Sequence, residues 1–215
     1  MKVFLLQLLK ILLVLLLPFI ALIRGAVFLH ESYELWPWPA LAGGILFSAV
    51  LIFFYLLYIQ RWIGQRYGGK PSFKKGHWFA LFLVLVYCLP AVFYLSNNNA
   101  KHPEVRDEFT SLHPILRLGI STLVFLDGDL ILTDGSRLPE DYRKMGLKTK
   151  THSLHYKQSS GYAHAVDIRT KGRSEFRNFL IKSYFKGMGF NTLRHVGTDD
   201  HLHVSLMSHD RKGGI

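Results

Sequence analysis

Three apolar runs crowd the first 95 residues, and no other feature constrains the chain as strongly. Val3 to Ile23 is apolar for 21 residues apart from Gln7, Lys10 and Pro18. Ala40 to Ile59 gives 20 residues and Trp78 to Leu95 gives 18, both without a charge. At 1.5 Å per residue, each run crosses most or all of a hydrocarbon core of about 30 Å. Pro18 and Pro90 are tolerated there, because neighbouring helices can satisfy the backbone groups they free. Three buried helices of a soluble core would need polar faces to cover them. The first 100 residues hold only ten of the chain's 41 charged side chains, too few for that. The expected organisation is a membrane region at 1–95, with spans at about 3–23, 40–59 and 78–95, a linker at 96–110, and a polar domain at 111–215.

Charge sets the direction of the spans. Between the first two lie Arg24, Glu31 and Glu34; between the second and third lie Arg61, Arg66, Lys70, Lys74 and Lys75, with no acid. Positive loops stay in the cytoplasm, so the Arg61–Lys75 loop is expected inside and the polar half outside. Trp36 and Trp38 then mark one membrane interface, Trp62 and Trp78 the other. The first run also has the build of a signal-peptide core behind Lys2. Cleavage near Ala26 would leave two spans with the polar half on the same side. The formal charge of +11 divides into +6 before Ser96 and +5 after it. It therefore reports membrane orientation rather than a nucleic-acid surface, and no nucleic-acid partner is expected. The single cysteine, Cys88, lies in an apolar run and excludes any intrachain disulfide or cysteine-rich zinc module.

The polar half reads as a compact α+β domain. Ser96 to Pro103 is turn-rich; His113 to Phe125 is a dense apolar helix; Leu130 to Thr133 is a short strand; Pro139 to Met145 is a short helix with proline at its start. Ala165 to Arg169 is a strand. Arg173 to Lys186 is an amphipathic helix with Phe176, Phe179, Leu180 and Tyr184 on one stripe, ended by Gly187 and Gly189. Phe190 to Val196 and Leu202 to Leu206 are the last strands. The basic stretch Lys171 to Arg177 is expected on an exposed face.

Nine of the 11 histidines lie in this half. A catalytic zinc site wants three nitrogen or oxygen ligands and one open position, which imidazoles and carboxylates supply. Strand alternation puts His201 and His203 on one face. His152, His195 and His209 carry no such signal and are expected to be solvated.

Two segments, Ser153–Thr170 and Asp200–Val204, resemble the signature of the zinc D,D-peptidases that cut bacterial peptidoglycan peptides. That signature is S-x-H-x-x-G-x-A-x-D followed by H-x-H or E-x-x-H, and Leu132–Arg137 resembles the family's upstream Ser-and-Arg turn. The likeness runs from Leu130 to Leu206 and leaves the membrane region without a counterpart. It implies an antiparallel-sheet zinc peptidase-like domain with His155, Asp167 and His203 as zinc ligands. It also implies Asp200 as general base, Arg137 against the scissile carbonyl, and Ser153 as an orienting partner. Asp199 and His201 stand as alternative bases, while Asp199 and Asp200 also fit a plain turn. Arg137 equally fits a plain surface pair with Asp134 or Glu140. The family keeps a shorter spacing between its first histidine and its aspartate; here 11 residues separate His155 from Asp167. An insertion in Gln158–His164 accounts for the excess. His164 is the alternative ligand, but alternation would put it on the face opposite to Asp167 only if it lay an odd number of residues away, as it does.

The spans and the charge rule predict a multi-pass membrane protein with its N-terminus inside, and the resemblance implies that the membrane is a bacterial cytoplasmic one, with the polar domain periplasmic or extracellular. Its substrate would be a peptidoglycan stem peptide, with the lipid bilayer as its other partner; self-association of the spans stays open. Two other readings remain at this stage. One is a catalytically silent module that binds wall peptide or a partner protein, the other a phage lysis protein.

Overall fold

The computed structural model describes residues 2–67, 76–144, 146, 153–197 and 200–211. Three long helices come first: α1 (Lys2–Ser32), α2 (Pro37–Tyr67) and α3 (Gly76–Phe93). All three are long and apolar enough to cross a membrane. Lys70, Lys74 and Lys75 of the loop expected inside lie outside the described residues. Helices α1 and α2 pack closely because Gly44 has no side chain. A Cβ at Gly44 would stand 2.3 Å from the Leu22 carbonyl oxygen and 2.8 Å from the Ala26 Cβ. Small residues allow such backbone approach where lipid supplies no hydrophobic drive between helices. Near the proline of α1, Ser48 Oγ donates to the Pro18 carbonyl at 2.9 Å.

The segment expected as a linker is folded instead. Asn97–Asn99 and Glu108–Ser111 are 3-10 turns flanking α4 (Pro103–Asp107). The buried Asn99 amide donates to the carbonyls of Gly128 and Leu130, both at 2.8 Å. Those bonds are tertiary, so the turn-rich composition of 96–103 could not announce them.

Helix α5 (Pro114–Leu126) opens with proline at its first turn and with the His113 side chain accepting from the Ile115 amide. It runs antiparallel to α3. Arg117 Nη1 donates to the Val92 carbonyl, Ser121 Oγ to the Ala91 carbonyl, and Tyr87 Oη pairs with Thr122 Oγ1 at 2.5 Å. The buried Arg117 guanidinium also lies 5.5 to 5.8 Å from the ring centroids of Trp38, Phe93 and Tyr162. A cation held by three aromatic faces ties α2, α3 and the polar half together.

Four strands follow with one short helix and one longer one: β1 (Leu132–Asp134), α6 (Pro139–Lys144), β2 (Ala165–Arg169), α7 (Glu175–Met188), β3 (Asn191–His195) and β4 (His201–Ser205). The sheet order is β1-β2-β4-β3, with every neighbouring pair antiparallel. The protein is thus α+β, with its apolar helices at the N-terminal side and a small antiparallel sheet after them. Val166, Ile168, Leu202 and Val204 fill one face of the sheet and join Ile181 and Phe185 of α7 in the core. The other face carries the polar residues discussed below.

One expectation needs correction. The stripe Phe176, Phe179, Leu180 and Tyr184 does not form the core side of α7. The first three are exposed, and Asn178, Ile181 and Phe185 are buried instead. The basic stretch Lys171–Arg177 lies on an exposed face as expected, with Arg173 and Arg177 paired to Asp127.

Candidate metal centre

Strand register builds the site. Asp167 on β2 lies directly opposite His203 on β4, so both side chains leave the same face of the sheet. His155 arrives from a loop whose course is set locally. The His155 amide donates to Ser153 Oγ at 3.2 Å, and the His155 carbonyl accepts from the Arg137 amide at 2.9 Å. The Ser153 hydroxyl thus engages the backbone of the histidine.

The excess residues between His155 and Asp167 leave the site undisturbed. Lys157 bridges Ala163, the Gln158 amide donates to the Tyr162 carbonyl, and the Gly161 amide donates to the Gln158 carbonyl. Gly161 has φ +80, which glycine adopts without strain. The excursion closes on itself, and the chain re-enters β2 with its alternation intact.

Among the described residues, His155, Asp167 and His203 form the group that can hold a metal ion, all three buried. The His155 Nε2 to His203 Nδ1 distance is 3.2 Å, His203 Nδ1 to Asp167 Oδ1 is 2.9 Å, and His155 Nε2 to Asp167 Oδ1 is 3.4 Å. A tetrahedral ion with bonds of about 2.0–2.1 Å needs ligand atoms about 3.3 Å apart. Two edges match that spacing, and the 2.9 Å edge between His203 and Asp167 would have to open slightly. Hydrogen bonding alone explains the triangle poorly, since one proton cannot serve three edges at once.

The surroundings complete the fit. His155 Nδ1 donates to the Gly135 carbonyl at 2.6 Å, which leaves the Nε2 lone pair facing the other two groups. Arg137 Nη2 donates to Asp167 Oδ2 at 2.8 Å, and Arg137 Nε donates to Asp134 Oδ2 at 2.7 Å. The guanidinium thus holds the carboxylate oxygen that lies outside the triangle. Burial by itself would raise the Asp167 carboxyl, but the close contacts with His155 and His203 outweigh it and hold the group well below the usual carboxylate range. Asp167 is charged at neutral pH, as a ligand must be. Burial pushes the Asp134 carboxyl above its ordinary value, against the pull of Arg137.

The other expected site residues divide clearly. His201 shares the face of His203, with Nε2 3.8 Å from Asp167 Oδ2 and its ring partly exposed. Asp200 does not join them. One residue earlier on the strand, it turns to the helix-covered face, where Arg194 Nη2 and Thr170 Oγ1 donate to it at 2.8 and 2.6 Å. Those bonds hold its carboxyl at about 2. A carboxylate bound to a guanidinium and facing away from the triangle is not placed to accept a proton there. Asp199 and His152 lie outside the described residues. His164 is buried away from the triangle, with Nδ1 3.1 Å from the Met207 carbonyl and Nε2 2.9 Å from Ser160 Oγ.

Asp134 pairs with Arg137, one of the two partners weighed from the sequence. Two participants escaped the sequence reading: the Gly135 carbonyl, which orients His155, and His195, exposed as expected but opposite His201 across β3 and β4, with ring centroids 4.8 Å apart. His209 is only partly exposed, and its ring stacks on that of His30 at 4.3 Å. Period-two alternation back from β4 was the signal available for His195, but it needs the hairpin register, which the residue types do not fix.

No protein-family model, curated protein or solved structure matches the chain.

Proposed function

We propose that this chain is a membrane-anchored, zinc-dependent peptidase that hydrolyses peptidoglycan stem peptides on the outer side of a bacterial cytoplasmic membrane. The observation that carries the reading is the triangle of His155 Nε2, Asp167 Oδ1 and His203 Nδ1, with edges of 2.9 to 3.4 Å. Two imidazole nitrogens and one carboxylate oxygen suit zinc, and three protein ligands leave a position open, as catalysis requires. The resemblance of Ser153–Thr170 and Asp200–Val204 to the zinc D,D-peptidases supplies the substrate class. The basic loop between the second and third helices favours an outward polar half.

An ion held there would polarise a peptide carbonyl and lower the pKa of an attacking water towards about 7. The chain's own residues do the rest. His155 and Asp167 are fixed by the Gly135 carbonyl and by Arg137, so the ligand set is in place before substrate arrives. His201, partly exposed beside Asp167, takes the proton of the water and returns it to the leaving amine. Arg137 is a positioning residue, since Asp134 and Asp167 engage its guanidinium.

One observation favours a second reading, a silent module that binds wall peptide: the acidic residue expected as base, Asp200, is bound by Arg194 instead. Turnover separates the two. The zinc-loaded full chain is expected to release D-alanine from a peptide ending in D-Ala-D-Ala. His201→Gln should lower kcat by about 10²–10⁴-fold while metal content stays unchanged. Zinc-loaded protein that binds the peptide without cleaving it would support the silent module and overturn the enzyme.

A further inference from the structure

Helix α7 carries its aromatic residues on the outside. Phe176, Phe179 and Leu180 share one helical face and are 68 %, 62 % and 49 % exposed, although Ile181 and Phe185 already fill the core side. A second apolar stripe on a helix that has buried its first calls for a second apolar medium.

The fold places that medium beside it. The C-terminal end of α7 meets α1 at Gly189, whose missing side chain leaves room for Val27 and the Arg24 guanidinium. Phe4 to Ile23 is 20 residues, so Arg24 lies about one hydrocarbon thickness, roughly 30 Å, from Phe4 along α1. The N-terminal end is tied through Arg173 and Arg177 to Asp127, directly after the tip of α5. That tip, Phe125 and Leu126, is also exposed. It lies one turn beyond the Thr122 contact with Tyr87, well inside the length of the apolar helix α3. Both ends of α7 are thus fastened to helices at membrane depth.

Past Glu175 the charge carried by the helix itself has one sign, although Asp127 and Asp129 pair with Arg177 from beyond the tip of α5. From Phe176 to Thr198 the sequence has four basic residues, Arg177, Lys182, Lys186 and Arg194, and no acid. Glu175, at the start of the helix, is engaged by Arg194. Apolar rings flanked by basic residues on a helix of 14 residues are the build of a segment that lies in a lipid interface.

We infer that the outward face of α7, with the tip of α5, rests in the lipid leaflet next to the polar half, with Phe176, Phe179 and Leu180 among the acyl chains and Lys182 and Lys186 on anionic headgroups. The seat fixes the height of the sheet above the bilayer, and with it the height of the His155–Asp167–His203 face. The inference needs the membrane helices but no catalysis.

Nitroxide labels test it on the full chain in phosphatidylglycerol bilayers. They are attached one at a time through Phe179→Cys and Leu180→Cys in a Cys88→Ala background, with Glu140→Cys as the solvent-exposed reference. The proposal expects labels at 179 and 180 to collide more often with oxygen than with a nickel chelate, the reverse of the label at 140. Lys182→Glu combined with Lys186→Glu should move both labels towards the aqueous value. Labels at 179 and 180 that behave like the reference would overturn the proposal. So would labels shielded from both quenchers and broadened by each other, since a second copy of the chain would then cover the face.

Discussion

His203→Ala is expected to abolish metal binding in the physiological range and peptide hydrolysis with it. Structural zinc contributes about 10–16 kcal/mol in small sites, so one of three protein ligands is worth about 4 kcal/mol, or roughly a thousandfold in affinity. The loss should be specific, because His203 lies on the polar face of β4 while Leu202 and Val204 hold the core. Isothermal titration with zinc and turnover of a D-Ala-D-Ala peptide measure both effects. His164→Ala, by contrast, should leave zinc affinity unchanged, because that ring bonds to Met207 and Ser160 away from the triangle. Loss of zinc in His164→Ala with retention in His203→Ala would reverse the ligand assignment.

The second large effect is a loss of stability in mildly acidic solution. Burial lowers His164 to about 4 and holds His113 well below the ordinary histidine value. Unfolded, both titrate near 6.5. Between those values the unfolded chain binds more protons than the folded one, so stability rises with pH. The contribution is complete above about 6.5 and is lost as pH falls towards about 4. For His164 alone it amounts to about 3 kcal/mol. Asp167 acts in a separate window: its folded value is depressed, so its contribution disappears only as pH drops below about 4. Denaturant unfolding of the full chain in detergent from pH 7.5 to about 4 should show the first decline, and His164→Gln should flatten it. An unchanged slope in that variant would mean that His164 is not held neutral.

These histidines tie the two parts of the molecule. His30 of α1 lies between the Leu35 and Met207 carbonyls, with the rings of His113, His164 and His209 within 4.3 to 5.8 Å. Acidification therefore acts where the membrane helices meet the polar half, and unfolding in that range should separate the two before the sheet itself opens.

The three long apolar helices were legible because an apolar run of about 20 residues, long enough to cross a membrane, has few other uses. Strand β2 was legible to the residue, and β4 to within one, because Val166 and Ile168 alternate with Asp167, and Leu202 and Val204 with His201 and His203. The resemblance to the zinc D,D-peptidases, not alternation, brought His155, Asp167 and His203 together on paper, and the structure sets their ligand atoms within coordination reach. Alternation should have turned Asp200 away, since that residue differs from His203 by an odd number of positions in an extended strand. The orientation of α7 was not legible. Two apolar stripes run along it, and residue types alone do not say which one meets the sheet when a bilayer is also present. The linker was misread for a different cause: the bonds that order Asn99 come from Gly128 and Leu130, far along the chain.

Whether His155, Asp167 and His203 hold a single divalent ion together can be read by X-ray absorption on the zinc-loaded full chain. One zinc per chain is expected, with two imidazole nitrogens and oxygen ligands at about 2.0–2.2 Å, both histidine contributions disappearing in a His155→Ala, His203→Ala double variant. A zinc spectrum that keeps its imidazole signature in that variant, or wild-type protein that takes up no zinc, would contradict that arrangement.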